Sequence, residues 1–388
     1  MFSQRTSWPT SPSRLAARLA QFRREGAQLF DLTESNPTRC GFIYDNPAIQ
    51  DALGAPETLH YYPNPRGLRT AREAVAGYYE ERGQPIPTDR IFLTTSSSEA
   101  YSMCFRLLCD PGDEVLIPAP SYPLFNFLAD LDNVKLKRYP LRYDHGWSID
   151  IEALASMVTE RTKAILVVSP NNPTGSLLSE RDRDSLIRLA LKHDLALIAD
   201  EVFLDYAWDE SRPTQTIDSR GVCLTLAISG LSKISALPQM KLGWVLIRGP
   251  IGVDANAAAR LEVISDTYLS VATPTQVATR TLLEQRKLIQ PQIRERVSAN
   301  LAFLDGKLGG SSPVTRLEAD GGWYAILRVP KSLSDEDWAI FLLETASVSV
   351  HPGFLFDFES QGHLVLSLIS RDDEFREGVE RLLTAVDS

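Results

Sequence analysis

The sequence has little of what metal and redox centres are usually built from. Its five histidines, His60, His145, His193, His351 and His363, stand at no ligand spacing such as HExxH, so a catalytic metal is not expected. Four cysteines, Cys40, Cys104, Cys109 and Cys223, are too few for a disulfide framework and show no CxxC pair. Reduced, mostly buried thiols are the expectation. No run approaches the ~18 apolar residues of a membrane span. The opening stretch MFSQRTSWPTSPSRLAARLA also lacks the apolar core and cleavage site of a secretory signal. A cytoplasmic protein without a membrane partner is expected. Basic residues are outnumbered, 40 against 50, and the net charge of −10 gives no global support to a nucleic-acid partner.

What is present is ordinary globular material in quantity. The 388 residues are 44% hydrophobic and 23% charged. At about 150 residues per domain the length predicts two or three compact units. After a polar arm at 1–12, Ser11 and Pro12 fit the cap and first turn of a helix with Leu15, Leu19 and Phe22 on one face and Gly26 as its stop. From about residue 65, short apolar runs alternate with helical segments: RIFLTT then SEAYSMCFRLLC, EVLIPAP then YPLFNFLADL, KAILVVS then ERDRDSLIRLALKH, followed by LALIAD and VCLTLAIS. Uninterrupted apolar runs of this length suit strands covered on both faces. The pattern predicts an α/β domain over 45–284 with a mostly parallel sheet flanked by helices. Beyond it a long helical stretch, strands near GGWYAILRV and HLVLSLIS, and a final helix predict a smaller α+β domain, formed by 285–388 together with 13–44.

In an open parallel sheet, ligands collect beyond the carboxyl ends of the strands. Taken in order, those ends give SSSEA at 96–100, PSYP at 120–123, SPNNPTG at 169–175, DEVF at 200–203 and SGLSK at 229–233. They offer hydroxyls, an aromatic ring, an amide, a carboxylate and a lysine. An amine with an ordinary pKa of about 10.4 is a poor nucleophile at neutral pH, but as a Schiff base to an aldehyde cofactor it becomes a tunable group. Pyridoxal 5'-phosphate needs such a lysine, a carboxylate for its ring nitrogen, a donor to its phenolic oxygen, a flat group against its ring and an anion cradle for its phosphate. Each requirement has a candidate at a strand end.

On these residues the sequence resembles the fold type I pyridoxal-phosphate enzymes, and within them the class I/II aminotransferases, whose fold is aspartate-aminotransferase-like. The most specific elements are NNPTG, Asp200-Glu201-Val202, and Gly-Leu-Ser-Lys followed ten residues later by Gly243-Trp244. The resemblance implies that Lys233 is the Schiff-base lysine and proton shuttle, and that Asp200 is the partner of the pyridinium nitrogen. It implies that Asn172 donates to the phenolic oxygen and that Tyr122 stacks on the ring. Ser96, Ser97 and Ser98 would receive the phosphate at a helix N-terminus. Tyr62 matches a tyrosine that reaches the phosphate of a neighbouring subunit, which implies a homodimer with shared active sites. The implied reaction moves an amino group between an amino acid and a 2-oxo acid by a ping-pong mechanism. A lyase or decarboxylase on the same fold is the alternative; a pyridoxal-dependent regulator or a dimer scaffold is disfavoured, because too few residues precede the resemblance for a DNA-binding domain and both Lys233 and Asp200 are retained.

Three positions depart from the family. Lys241 replaces an arginine that binds the phosphate, keeping a cation but losing its fork. Phe203 replaces a tyrosine that donates to the phenolic oxygen. Val365 stands where an arginine grips the substrate carboxylate. Arg39, in the Asn36-Pro37-Thr38-Arg39 segment, is the first candidate to take over that role, with Asn36 beside it and Arg371 as a weaker one. Phe125, Trp323 and Tyr324 are aromatic residues near the expected site that serve packing equally well.

Overall fold

The computed structural model describes residues 1–209, 214–218, 220–309 and 312–387. Its strands are β1 (Phe30–Asp31), β2 (Ile91–Thr94), β3 (Glu114–Ala119), β4 (Lys135–Tyr143), β5 (Trp147–Ile149), β6 (Thr162–Val168), β7 (Ala196–Asp200), β8 (Thr225–Gly230), β9 (Gly243–Arg248), β10 (Thr315–Arg316), β11 (Tyr324–Arg328), β12 (Val348–Ser349), β13 (His351–Pro352) and β14 (His363–Ser367). Eight of them form one sheet in the order β2-β9-β8-β7-β6-β3-β4-β5. Its interior ladder, from β4 through β3, β6 and β7 to β8, is parallel, while β9, β2 and β5 pair antiparallel towards the edges. The mostly parallel α/β sheet expected from the apolar runs is therefore present.

Those runs are apolar on both faces because both faces are covered. Leu116, Ile165, Leu197 and Leu246 enter one core with Val75 and Tyr79 of the helix Arg69–Glu81. Their alternating neighbours Val115, Ile117, Leu166, Ile198 and Val245 enter another with Tyr101 and Phe105 of the helix Ser97–Leu108. Each such side chain, fully buried, stabilises the sheet by roughly 1.5–3 kcal/mol relative to exposure. Strand β4, KLKRYPLRY, carries several charged residues and lies one strand in from the edge.

A second, antiparallel sheet has the order β10-β11-β14-β13. Near it, β1 pairs in parallel with β12, and Phe30 and Leu32 share a core with Trp338, Leu342, Val365 and Phe375. The N-terminal helix is Arg14–Arg24, and its cap is Ser13, whose Oγ accepts from Ala16 N at 3.1 Å. This corrects the expected start at Ser11-Pro12. Ser13 stands three residues before Ala16 and so reaches the orphan N–H of the first turn. Arg14 and Arg18 then bind Asp337 and Glu344 of the helix Asp335–Ala346 at 2.8 and 2.6 Å. The core of this second sheet also takes in Phe203, Tyr206 and Ala236 from loops that follow β7 and β8. The carboxyl ends of the large sheet are thereby roofed by the smaller one. Among the described residues no helix is long and apolar enough to cross a membrane.

Candidate active site

Asp200 closes β7 and Lys233 lies in the one-turn helix Leu231–Ile234 directly after β8, so adjacent parallel strands deliver both. Asp200 is buried. Its Oδ1 accepts from Val202 N at 3.0 Å and its Oδ2 from the Tyr101 hydroxyl. Burial pushes its pKa up, against the opposing pull of Tyr101, the Val202 N–H and Lys233. The same burial draws the Lys233 amine down to about 8, with Asp200 working in the other direction. Lys233 Nζ lies 4.6 Å from the Trp323 ring centroid and 5.2 Å from that of Phe203. Its backbone is fixed by Tyr206, whose hydroxyl donates to Lys233 O at 2.8 Å. A carboxyl group and an amine whose charge is disfavoured by burial are thus held in one low-dielectric space.

The serines lie at the start of the helix Ser97–Leu108. Ser96 is the cap, with its Oγ accepting from Glu99 N at 3.2 Å, and the first intrahelical bond runs from Ala100 N to Ser96 O at 3.1 Å. The Ser97 and Ser98 N–H groups precede that bond and point out of the helix, where the dipole favours an anion. Glycine brings this end close to the lysine's strand. A Cβ on Gly243 would lie 3.1 Å from Ser229 O and 3.2 Å from Ser96 C, and one on Gly230 would lie 2.8 Å from both Gly243 Cα and Leu242 O. Ser229, four residues before Lys233, is buried with an unpartnered Oγ. Lys241 is exposed, on a left-handed residue (φ 51°) that ends the turn Pro238–Met240 two residues before Gly243.

The amide and rings come from the other side. Asn172, in the loop after β6, is buried, and its Oδ1 has no partner. Tyr324, on β11, is buried, which pushes its phenol up, while the neighbouring Ser35 and Asn172 work in the other direction. Tyr122 is partly buried, edge-on to Phe125 at 5.8 Å. Burial first, then Tyr324 and Asp200, push its phenol up to about 12. Asp200, Lys233, Asn172 and Tyr122 are therefore neighbours of one another or of a shared aromatic group.

The remaining candidates lie outside this cluster. Tyr62 is 64% exposed, its ring 6.3 Å from that of His60. Asn36 caps a single turn, with Oδ1 accepting from Thr38 N at 3.1 Å. The Arg39 side chain is 73% exposed and pairs with Glu34 at 3.1 Å, and that of Arg371, 57% exposed, pairs with Asp373 at 3.4 Å. Val365 is fully buried, opposite Ile326 in the β11–β14 ladder. Sequence reasoning missed Tyr101, Ser229 and Ser35, and it left Trp323 and Tyr324 undecided. Ser229 had a signal, since it ends an apolar run four residues before the lysine. Tyr101 had none, because its role arises only when its helix packs beneath β7.

The residues fit pyridoxal phosphate on this structure's own terms. An electropositive helix end is brought by glycine contacts against the strand that delivers the amine. A buried carboxylate stands beside that amine, and the buried Ser229 Oγ, on the strand that leads to it, has no protein partner.

Comparison with known proteins agrees. The family model "Aminotransferase class I and II" matches residues 41–382. The chain is 29% identical over 373 residues to an alanine aminotransferase of Mycobacterium tuberculosis, covering 94% of this chain and 86% of that protein. It is 26% identical over 350 residues to a tyrosine aminotransferase of Bos taurus, covering 87% and 78% respectively. Its fold matches that of the alanine aminotransferase of Pyrococcus furiosus with a TM-score of 0.89, at 22% identity and full coverage of both chains. With fold, family model and relatives in agreement, the chain belongs to the class I and II aminotransferases, a family of pyridoxal-phosphate enzymes.

Proposed function

We propose that Lys233 carries the cofactor and moves the proton at the substrate's α-carbon during transfer of an amino group from an amino acid to a 2-oxo acid. Bound at Lys233, pyridoxal phosphate supplies an electron-withdrawing ring and an aldehyde carbon that exchanges amines. Asp200 would stand at the ring nitrogen and, as its partner, would favour the protonated ring. Ser96, Ser97 and Ser98, with the N-terminus of their helix and Lys241, hold the phosphate. Asn172 would donate to the phenolic oxygen, and Tyr122 would stack on the ring. The burial that draws the Lys233 amine down from its ordinary value suits it to accept and return a proton at neutral pH once released. Trp323 and Phe203 exclude water around it.

The observation that carries this reading is the pairing of a lysine amine held near 8 with a buried carboxylate, at the ends of neighbouring parallel strands. The relatives named above are all aminotransferases, which favours transfer over lyase or decarboxylase chemistry. Tyr62, exposed in one subunit, serves the phosphate site of a second, so the working unit is a homodimer with shared sites in the cytoplasm. Asn36 borders the substrate side. Arg39 and Arg371, held by Glu34 and Asp373 and turned to solvent, attract anionic substrates to the mouth.

The test is a single-turnover mixing experiment. Holoenzyme with a panel of amino acids beginning with L-alanine and L-tyrosine should convert its cofactor stoichiometrically to pyridoxamine phosphate. Release of carbon dioxide or an eliminated group without that conversion would instead establish the lyase reading.

A further inference from the structure

The turn that carries Lys233 is short, and its carbonyls are held from outside. The helix Leu231–Ile234 closes with Ser235 N and Leu237 N on Leu231 O at 3.1 Å each. The last carbonyls of any helix lack an intrahelical donor. Side chains from three separate parts of the chain supply donors to this turn and its exit. The Tyr206 hydroxyl donates to Lys233 O at 2.8 Å, Gln290 Nε2 to Ile234 O at 2.9 Å and the Tyr44 hydroxyl to Ala236 O at 2.9 Å. Gln290, on the helix Arg286–Lys307, makes a second bond, from the same Nε2 to Asp205 Oδ2 at 2.7 Å. One amide NH2 has a hydrogen for each acceptor, whereas the reversed amide would set its oxygen against a carbonyl and a carboxylate.

Asp205 is a firm anchor for this link. It lies five residues beyond Asp200 and is buried; its carboxylate accepts from the Tyr78 hydroxyl at 3.0 Å and pairs with Arg82. Its carbonyl accepts from Arg294 Nη2 at 2.7 Å, one helical turn beyond Gln290. Tyr78 and Arg82 remain on Asp205 when Gln290 loses its donors, so breaking the link leaves the buried charge paired. What is lost is the tie between the lysine's turn and the segment that continues the Asp200 strand. Resting on the aminotransferase reading above, we propose that Gln290, assisted by Tyr206, is a positioning residue: by joining Ile234 O to Asp205 it holds the Lys233 amine in register with Asp200 for the proton step. A reacting group displaced by about 1 Å loses up to ~100-fold in rate, so the link acts on turnover rather than on substrate affinity.

The experiment compares two replacements. Gln290→Met keeps the length of the side chain and removes both donors, and Gln290→Lys supplies donors again. Each holoenzyme is mixed in single turnovers with the panel amino acid that the wild type converts fastest, and the rate is counted per bound cofactor. Gln290→Met should lower the limiting rate constant about tenfold or more, with the half-saturating concentration within about twofold of wild type. Gln290→Lys should recover that constant to within about threefold of wild type, and Tyr206→Phe should lower it about fivefold. A wild-type rate in Gln290→Met, or a loss that Gln290→Lys does not recover, assigns Gln290 to packing and overturns the proposal. Should Gln290→Met fail to fold, Tyr206→Phe decides, and an unchanged limiting rate overturns it. These outcomes leave the aminotransferase reading standing; failure of every amino acid to convert the wild-type cofactor overturns both.

Discussion

The Tyr101 hydroxyl donates to Asp200 Oδ2 from the first turns of the helix Ser97–Leu108, so the helix that presents Ser96, Ser97 and Ser98 at its start also fixes the buried carboxylate. One element thereby positions both the proposed phosphate site and the proposed partner of the ring nitrogen. Tyr101 and Phe125 meet edge-on at 5.1 Å and Phe125 meets Tyr122 at 5.8 Å, which extends the same packing to Tyr122.

Tyr101→Phe removes a hydrogen bond to a buried charge, an interaction worth about 1.5–3 kcal/mol. Cofactor affinity, measured by equilibrium titration of the visible band, should fall at least tenfold. The Asp200 pKa, already raised by burial, should rise further, moving the acid limb of cofactor retention to higher pH. An unchanged limb would show that Tyr101 only packs.

Capture of the cofactor by apoenzyme needs the neutral Lys233 amine. With its pKa near 8, the rate of capture should rise with pH and level off above that value. Asp200 is the influence that raises this pKa, so Asp200→Asn should shift the midpoint downward. Stopped-flow reconstitution across pH 6–10 reads both, and an upward shift would contradict the assigned coupling.

Ser229→Ala separates a structural hydroxyl from one that serves a ligand. The buried Oγ has no protein partner, so its removal should leave the Tm of the apoenzyme unchanged or slightly higher. The same change should weaken pyridoxal phosphate binding by about tenfold, the value of one good hydrogen bond. A lower apoenzyme Tm with unaltered binding would assign Ser229 to the fold alone.

The legible parts of this protein are those where a local pattern and a chemical role coincide. LALIAD and TLAIS read as buried strands because their faces are both apolar, and their ends deliver Asp200 and, just beyond, Lys233. The helix start at Ser96 was visible as a polar run after an apolar strand. Strand β4 was not, because KLKRYPLRY has no apolar run and becomes a strand only through its ladders with β3 and β5. Tyr101 acts on Asp200 across 99 residues of chain, and Tyr324 lies beside Asn172 across 152, so no spacing announces them. Arg39 stands beside the N-terminal loop in sequence, and its ion pair with Glu34 arises only in the fold.

The most direct test is chemical. Holoenzyme reduced with borohydride, digested and mapped by mass spectrometry should carry the phosphopyridoxyl group on Lys233, and Lys233→Ala should bind the cofactor without the attached product. A label on Lys241 or another amine, with Lys233 unmodified, would contradict the account.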